Sequence, residues 1–225
     1  MRVMGRNDSV EKLFEMAAIV PEKTRIKSFR RAADFERWLS KHHDREPEIW
    51  LRIFKKGSGI PTVTPAEALD VALCWGWIDA IRKSFDDKSF LQRYTPRGAK
   101  SLWSQINRQN VTRLIKQRRM RKPGLRQVEA AKADGRWDRA YAPIRTASRE
   151  SIPPDLRAAI DANPNARKTF ESLGKVNLFA LAFRTNNMKT SAGRARKIAE
   201  LVAMLSRGET IVPEKRVDLR AARST

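Results

Sequence analysis

Hydrophobic positions change period several times along the chain. In T-R-I-K-S-F, residues 24–29, apolar and polar residues alternate, which predicts a strand. Phe35, Trp38 and Leu39 then fall at i, i+3 and i+4 within A-A-D-F-E-R-W-L-S-K-H-H, the spacing of one helix face. E-I-W-L-R-I-F-K-K, from Glu48, predicts a buried strand, and K-G-S-G-I-P a glycine-rich turn. Thr64, Pro65 and Glu67 together mark a helix start: a hydroxyl to accept a free N–H, a proline where no N–H is needed, and a carboxylate that reaches back. The helix is predicted over 65–75 and ends at Gly76, a residue that readily turns left-handed. W-I-D-A-I-R-K (77–83) and S-F-L-Q-R-Y-T (89–95) flank F-D-D-K and predict an antiparallel hairpin.

Further on the pattern is helical. Val111, Leu114 and Ile115 share one face of a helix predicted over Ser104 to Met120, with Arg108, Thr112, Lys116 and Arg119 opposite. A shorter helix is predicted from Leu125, closing near Gly135. The stretch A-P-I-R-T-A-S-R-E-S-I-P-P has the composition of a linker, and four helices follow it. This order predicts an α+β fold: a small sheet with a β-hairpin packed by helices, then a C-terminal all-helical unit. The expected divisions are a tail over 1–21, an α+β domain over 22–147, a linker at 148–151, a helical domain over 152–208 and a basic tail over 209–225.

Charge changes the picture more than size does. The 225 residues carry 47 Lys and Arg against 25 Asp and Glu, a net charge of +22. Twelve of those cations lie between Asp87 and Glu129, where the sequence has no acid. Such a field draws nucleic acid or another anionic partner; a uniformly basic surface without that role is the plainer alternative. On the predicted cationic helix face, Arg108, Lys116 and Arg119 are the polyanion-binding candidates. No run approaches the roughly 18 apolar residues of a membrane span, and the first residues lack a secretory h-region, so no membrane insertion and a cytoplasmic location are expected. One cysteine and two histidines predict no structural metal and no disulfide within the chain, and no cofactor motif is present.

The richest chemistry lies in C-W-G-W-I-D-A-I-R-K and its hairpin partner. Alternation puts Trp77, Asp79 and Ile81 on one face and Ile78, Ala80 and Arg82 on the other. A carboxylate beside an indole needs a partner, and Arg93 and Arg97 are the candidates across the hairpin, with Arg82 available if the strand is bulged. Two readings stay open. Either Asp79 closes an ion pair within a core of Trp75, Trp77 and Trp103, or Trp77, Asp79, Arg82, Arg93, Tyr94, Arg97 and Trp103 form a ligand-binding pocket. His42, His43 and Asp44 form a polar helix end, and Cys74 is placed as a small buried hydrophobe.

Several long segments carry a family resemblance: E-A-L-D-V-A-L-C-W-G-W-I-D (67–79), S-F-L-Q-R-Y-T-P-R (89–97), S-x-W-S-x-x-N (101–107), E-A-A-K-A-D-G-R-W (129–137), I-P-P-D-L and R-A-R-K-I. Across about residues 28 to 210 the chain resembles the YdeI/OmpD-associated proteins of bacteria, also described as bacteriocin-protection proteins. The resemblance implies a bacterial protein with a stress-related or bacteriocin-protection role and carries no catalytic residues with it. A non-enzymatic binding protein for an anionic ligand or nucleic acid is the leading expectation; an enzyme acting on a small anionic substrate, with Asp79 as acid or base, is the alternative.

Overall fold

The computed structural model describes residues 20–213, so the expectations for 1–19 and for 214–225 lie outside the described residues. The strands are β1 (Ile26–Lys27), β2 (Ile49–Phe54), β3 (Trp77–Asp86) and β4 (Ser89–Pro96). The helices are α1 (Ala32–His42), α2 (Pro65–Cys74), α3 (Gln105–Lys116), α4 (Lys122–Ala133), α5 (Pro154–Asp161), α6 (Pro164–Glu171), α7 (Lys175–Asn186) and α8 (Ser191–Ser206). The architecture is α+β with C-terminal helices. Two compact units divide the described residues: 20–103 with 107–140, and 141–213 with the short segment 104–106. Among the described residues no helix is long and apolar enough to cross a membrane.

In the first unit the sheet runs β1-β2-β4-β3, with β1 parallel to β2 and the other pairs antiparallel. Ile49, Leu51 and Ile53 of β2 pack with Phe35 and Leu39 of α1 and with Val71 and Ala72 of α2. Because Ile49 lies opposite Tyr94, the even positions of β4 face these helices too. Trp50 and Leu91 are buried on the opposite face. A second cluster joins Leu73 and Cys74 at the end of α2 to Val111 and Leu114 of α3, Val128 and Ala131 of α4, and Trp103 and Trp137.

The α2 start is as the sequence predicts: Thr64 and Glu67 form a reciprocal capping box, with Pro65 at the first turn. At its other end Gly76 is left-handed, with φ 75°, and turns the chain into β3. Two helix boundaries differ from expectation. α3 stops at Lys116 rather than Met120, because Arg118 takes the left-handed conformation with φ 55°. The Arg119 N–H then reaches the Leu114 carbonyl at 3.0 Å and the Arg118 N–H the Ile115 carbonyl at 2.9 Å, an end normally signalled by glycine. α4 begins at Lys122, not Leu125, since Pro123 occupies its first turn, where no N–H is required.

Gly124 lies inside α4 for a packing reason. A Cβ there would fall 2.7 Å from the Leu73 carbonyl oxygen, closer still to that of Cys74. Nearby the Arg121 N–H donates to the Cys74 carbonyl at 3.1 Å, so the start of α4 abuts the end of α2.

The second unit is built from α5 to α8 around Leu156, Ile160, Phe170, Leu181, Leu201 and Leu205. Two short 3-10 turns, Ile144–Thr146 and Arg149–Ser151, precede α5. Asn163 caps α6 and Thr190 caps α8 through their side-chain oxygens.

Replacing Gly124 with Ala should cost about 2–3 kcal/mol, through a forced shift of α4 against α2. Gly57→Ala, where a Cβ meets nothing within 4 Å, should change stability by less than about 0.5 kcal/mol. Denaturant midpoints of the two variants check this; equal midpoints would remove the close approach at Gly124.

Candidate functional site

The hairpin brings most of the sequence-selected residues to one end of the sheet. A register shift between Asp79 and Arg82 inserts a bulge in β3. Asp79 therefore lies opposite Tyr94 and Arg82 opposite Gln92, both even positions of β4. Arg82 thus joins Asp79's face instead of taking the opposite one expected from simple alternation. Its Nε donates to Gln92 Oε1 at 2.9 Å, and its guanidinium lies 4.4 Å from the Phe90 ring centre.

Trp77 and Tyr94 are each only 1% exposed and belong to the helix-facing core. The Trp77 indole N–H donates to the His43 carbonyl at 3.0 Å, tying the start of β3 to the end of α1. His42 stacks on Trp38 at 4.7 Å and its Nδ1, 2.7 Å from the Trp38 carbonyl, must carry the proton there. Both histidine rings thus serve the helix end. Cys74 is buried, and burial pushes its thiol up to about 11, far from a thiolate nucleophile at neutral pH.

Asp79 differs from its neighbours. It lies exposed on the sheet's edge strand and makes no ion pair among the described residues. Lost hydration raises its carboxyl above the usual range, opposed by its own backbone N–H and then by the fields of Arg97 and Arg82. The Tyr94 phenol is pushed well up by burial and by Asp79 beside it.

The cross-hairpin partnership with Arg93 does not form. Arg93 bonds Glu48 at 2.6 Å, a carboxylate that also accepts from the Trp50 indole at 3.1 Å. Glu48 precedes β2 and becomes visible as a partner only once β2 pairs with β4. Arg97 is buried: it donates to the Leu102 carbonyl at 2.9 Å and covers the Trp103 ring at 3.8 Å. Trp103 in turn meets Trp137 edge-on at 4.9 Å. The aromatic faces at 77, 94 and 103 are therefore packed against protein, while Asp79 and Arg82 are exposed.

The basic window is also less bare than its sequence implies. Asp70 of α2 pairs with Arg113 at 2.6 Å and Arg119 at 3.6 Å, and Glu36 of α1 pairs with Arg121 at 2.7 Å. Arg108 approaches Asp138 at 3.9 Å and lies over Trp137. Of the three polyanion candidates, Arg108 and Arg119 are thus ion-paired by distant segments; Lys116 is exposed without an ion pair. Around it the turn from α3 to α4 adds Arg118, Lys122 and Arg126, all exposed and without ion pairs among the described residues. This four-cation patch is shifted towards the turn from the helix face read in the sequence.

Two family models match the chain. Residues 27–127 match a domain of unknown function (DUF8412), and residues 151–208 match the model described as bacteriocin-protection, YdeI or OmpD-associated (OmdA). The OmdA match, the OmdA domain below, covers α5 to α8 of the C-terminal unit. The motifs at 67–79, 89–97 and 101–107 fall within the first match, outside the OmdA domain itself. No curated protein and no solved structure matches the chain.

Within the OmdA domain, Arg194 donates from Nε and Nη2 to the two Asp155 oxygens at 2.6 and 2.9 Å and from Nη1 to the Thr185 carbonyl at 2.9 Å. This fork fastens α8 to α5 and to the end of α7. Asp155 is held below the usual carboxylate range, first by its bonds from Arg194.

The sign of the Asp79 shift makes a test. A raised carboxyl favours the protonated folded chain, a contribution full below the ordinary carboxylate value and lost as pH rises through the raised one. At about pH 7 Asp79→Asn should match or exceed the parent's stability, by no more than about 1 kcal/mol because water reaches the group, and the difference should fade towards about pH 3. Thermal unfolding across that range measures it. A clear loss at neutral pH would make Asp79 the anion of a stabilising ion pair.

Proposed function

We propose that the chain is a non-enzymatic binding protein for polyanions, with single-stranded nucleic acid as the ligand class and the α3–α4 turn as the contact. The observation that carries this reading is the grouping of Lys116, Arg118, Lys122 and Arg126, exposed and without ion pairs among the described residues, while neighbouring arginines are paired with Asp70 and Glu36. Cations with carboxylate partners have little charge to offer a phosphate; those four have all of theirs. The buried indoles favour backbone contact over base stacking, which needs an open aromatic face. A role in bacteriocin protection, which the OmdA description names for the family, would be the setting of such binding.

A second reading rests on Asp79 alone. An exposed carboxylate with a raised proton affinity, at a bulge near Arg82 and Arg97, has the character of a general acid or base for a small anionic substrate. The burial of Trp77, Tyr94 and Trp103 weighs against the aromatic pocket that this reading also requires.

Binding of a labelled random single-stranded oligonucleotide over a salt series tests the first reading. Four phosphate contacts give a slope of log K against log salt of about −3, from roughly 0.7 per contact. The variant Lys116→Gln, Arg118→Gly, Lys122→Gln should bring the slope to about −1 and weaken binding at least about tenfold at low salt. Arg118→Gly also relieves a left-handed non-glycine residue, so the fold should not suffer. Absence of binding at low salt, or a slope unmoved by the variant, would sink the proposal.

A further inference from the structure

The OmdA domain carries a groove of about 730 Å³ that the polyanion reading does not use. Its walls are Ala159 of α5 and Ala195, Ile198, Ala199, Val202 and Ala203 of α8, with the Asp155–Arg194 fork at one end. Positions 195, 198, 199, 202 and 203 repeat at the helical i, i+3, i+4 spacing, so the groove follows α8 along most of its 16 residues, about 24 Å at 1.5 Å each. Ala195, Ala199 and Ala203 are exposed. Ile198 and Val202 are only partly covered by the core beneath. An alanine-lined channel of this length lets another helix approach closely, its larger side chains filling the space the alanines leave.

Charge selects the occupant. Residues 141–213 hold twelve Lys and Arg against six Asp and Glu. Five of those six acids are in ion pairs: Asp155 with Arg194, Asp161 with Arg157, Glu171 with Arg167, Glu200 with Lys197 and Glu209 with Arg207. Glu150, the sixth, is held by Ser148. Seven cations remain outside those pairs, among them Lys168, Lys189 and Arg196, exposed and without ion pairs among the described residues, and Arg196 stands on α8 one turn before Ala199 and two before Ala203. A cationic helix would meet only unsatisfied positive charge. A second copy of this chain would bring its own net +22.

We propose that the α5–α8 groove docks the apolar face of an acidic amphipathic helix from another protein. Apolar residues at i, i+3, i+4 and i+7 would fill it, and flanking carboxylates would meet Arg196. The Asp155–Arg194 fork, internally satisfied, closes one end and so limits the register.

The test titrates the full chain with a fluorescent synthetic helix of about 18 residues, Leu at the four facing positions of each pair of turns and Glu on the outer face. Comparators are the same residues in shuffled order, a Leu/Lys version and a single-stranded oligonucleotide. The acidic amphipathic peptide should bind saturably, and the shuffled and Lys peptides at least about tenfold more weakly. Ala199→Arg should weaken binding at least about tenfold although it adds a cation, with Ala195→Arg as an independent second variant at another exposed position. Equal or tighter binding to folded Ala199→Arg, or equal binding of the shuffled peptide, would reduce the effect to charge attraction and overturn the proposal. So would absence of saturable peptide binding, oligonucleotide competition at the same surface, or self-association of the chain that Ala199→Arg abolishes.

Discussion

The first unit depends on one close approach, the abutment of α4 against the carbonyl end of α2 at Gly124. The last carbonyls of a helix need partners, and here the Arg121 N–H supplies one for Cys74 while Gly124 lets the backbones meet. The same helix end carries Leu73 and Cys74 into the α3–α4 cluster, and Gly76 carries the chain on into β3, whose Trp77 belongs to the sheet cluster. Two hydrophobic cores thus share a joint of a few residues. The placement of Asp79 follows from it, since Gly76 fixes where β3 starts and therefore which β4 residue each β3 side chain faces.

The electrostatics follow from the same packing. A stretch of sequence without acids became, in the fold, a row of arginines matched to Asp70 and Glu36 on α2 and α1. Net charge along the chain is therefore a poor guide to free charge on the surface. What distinguishes Lys116, Arg118, Lys122 and Arg126 is their position at and beside the α3–α4 turn, where none is in an ion pair among the described residues. In the C-terminal unit the bookkeeping runs the other way: five of the six acids at 141–213 have their own cation, and the surplus is positive.

Local signals were the legible part. The capping box at Thr64, the left-handed Gly76, the hairpin and the helical C-terminal half could be read from residue spacing and end signals, because each depends on neighbours within a few positions. The end of α3 could not, because Arg118 occupies a backbone position that glycine would normally announce. A helix predicted from Leu125 leaves Gly124 outside it, whereas its reason to be inside α4 lies some fifty residues away at Leu73 and Cys74. The site was partly legible. Asp79 and Arg82 could be placed on the hairpin from the sequence, but a bulge set their common face, and Glu48's capture of Arg93 required β2 to lie beside β4.

The irregularity of β3 has a meaning apart from any ligand. Among the described residues it is an edge strand of ten residues, and a straight edge of that length is an open template for another chain's backbone. Two register shifts, at 79–82 and at 84–86, break the even ladder, and a carboxylate reluctant to ionise stands beside an arginine at the first of them. A strand so interrupted offers few consecutive donors and acceptors in phase, so it guards the sheet against growing by edge-to-edge addition of further copies.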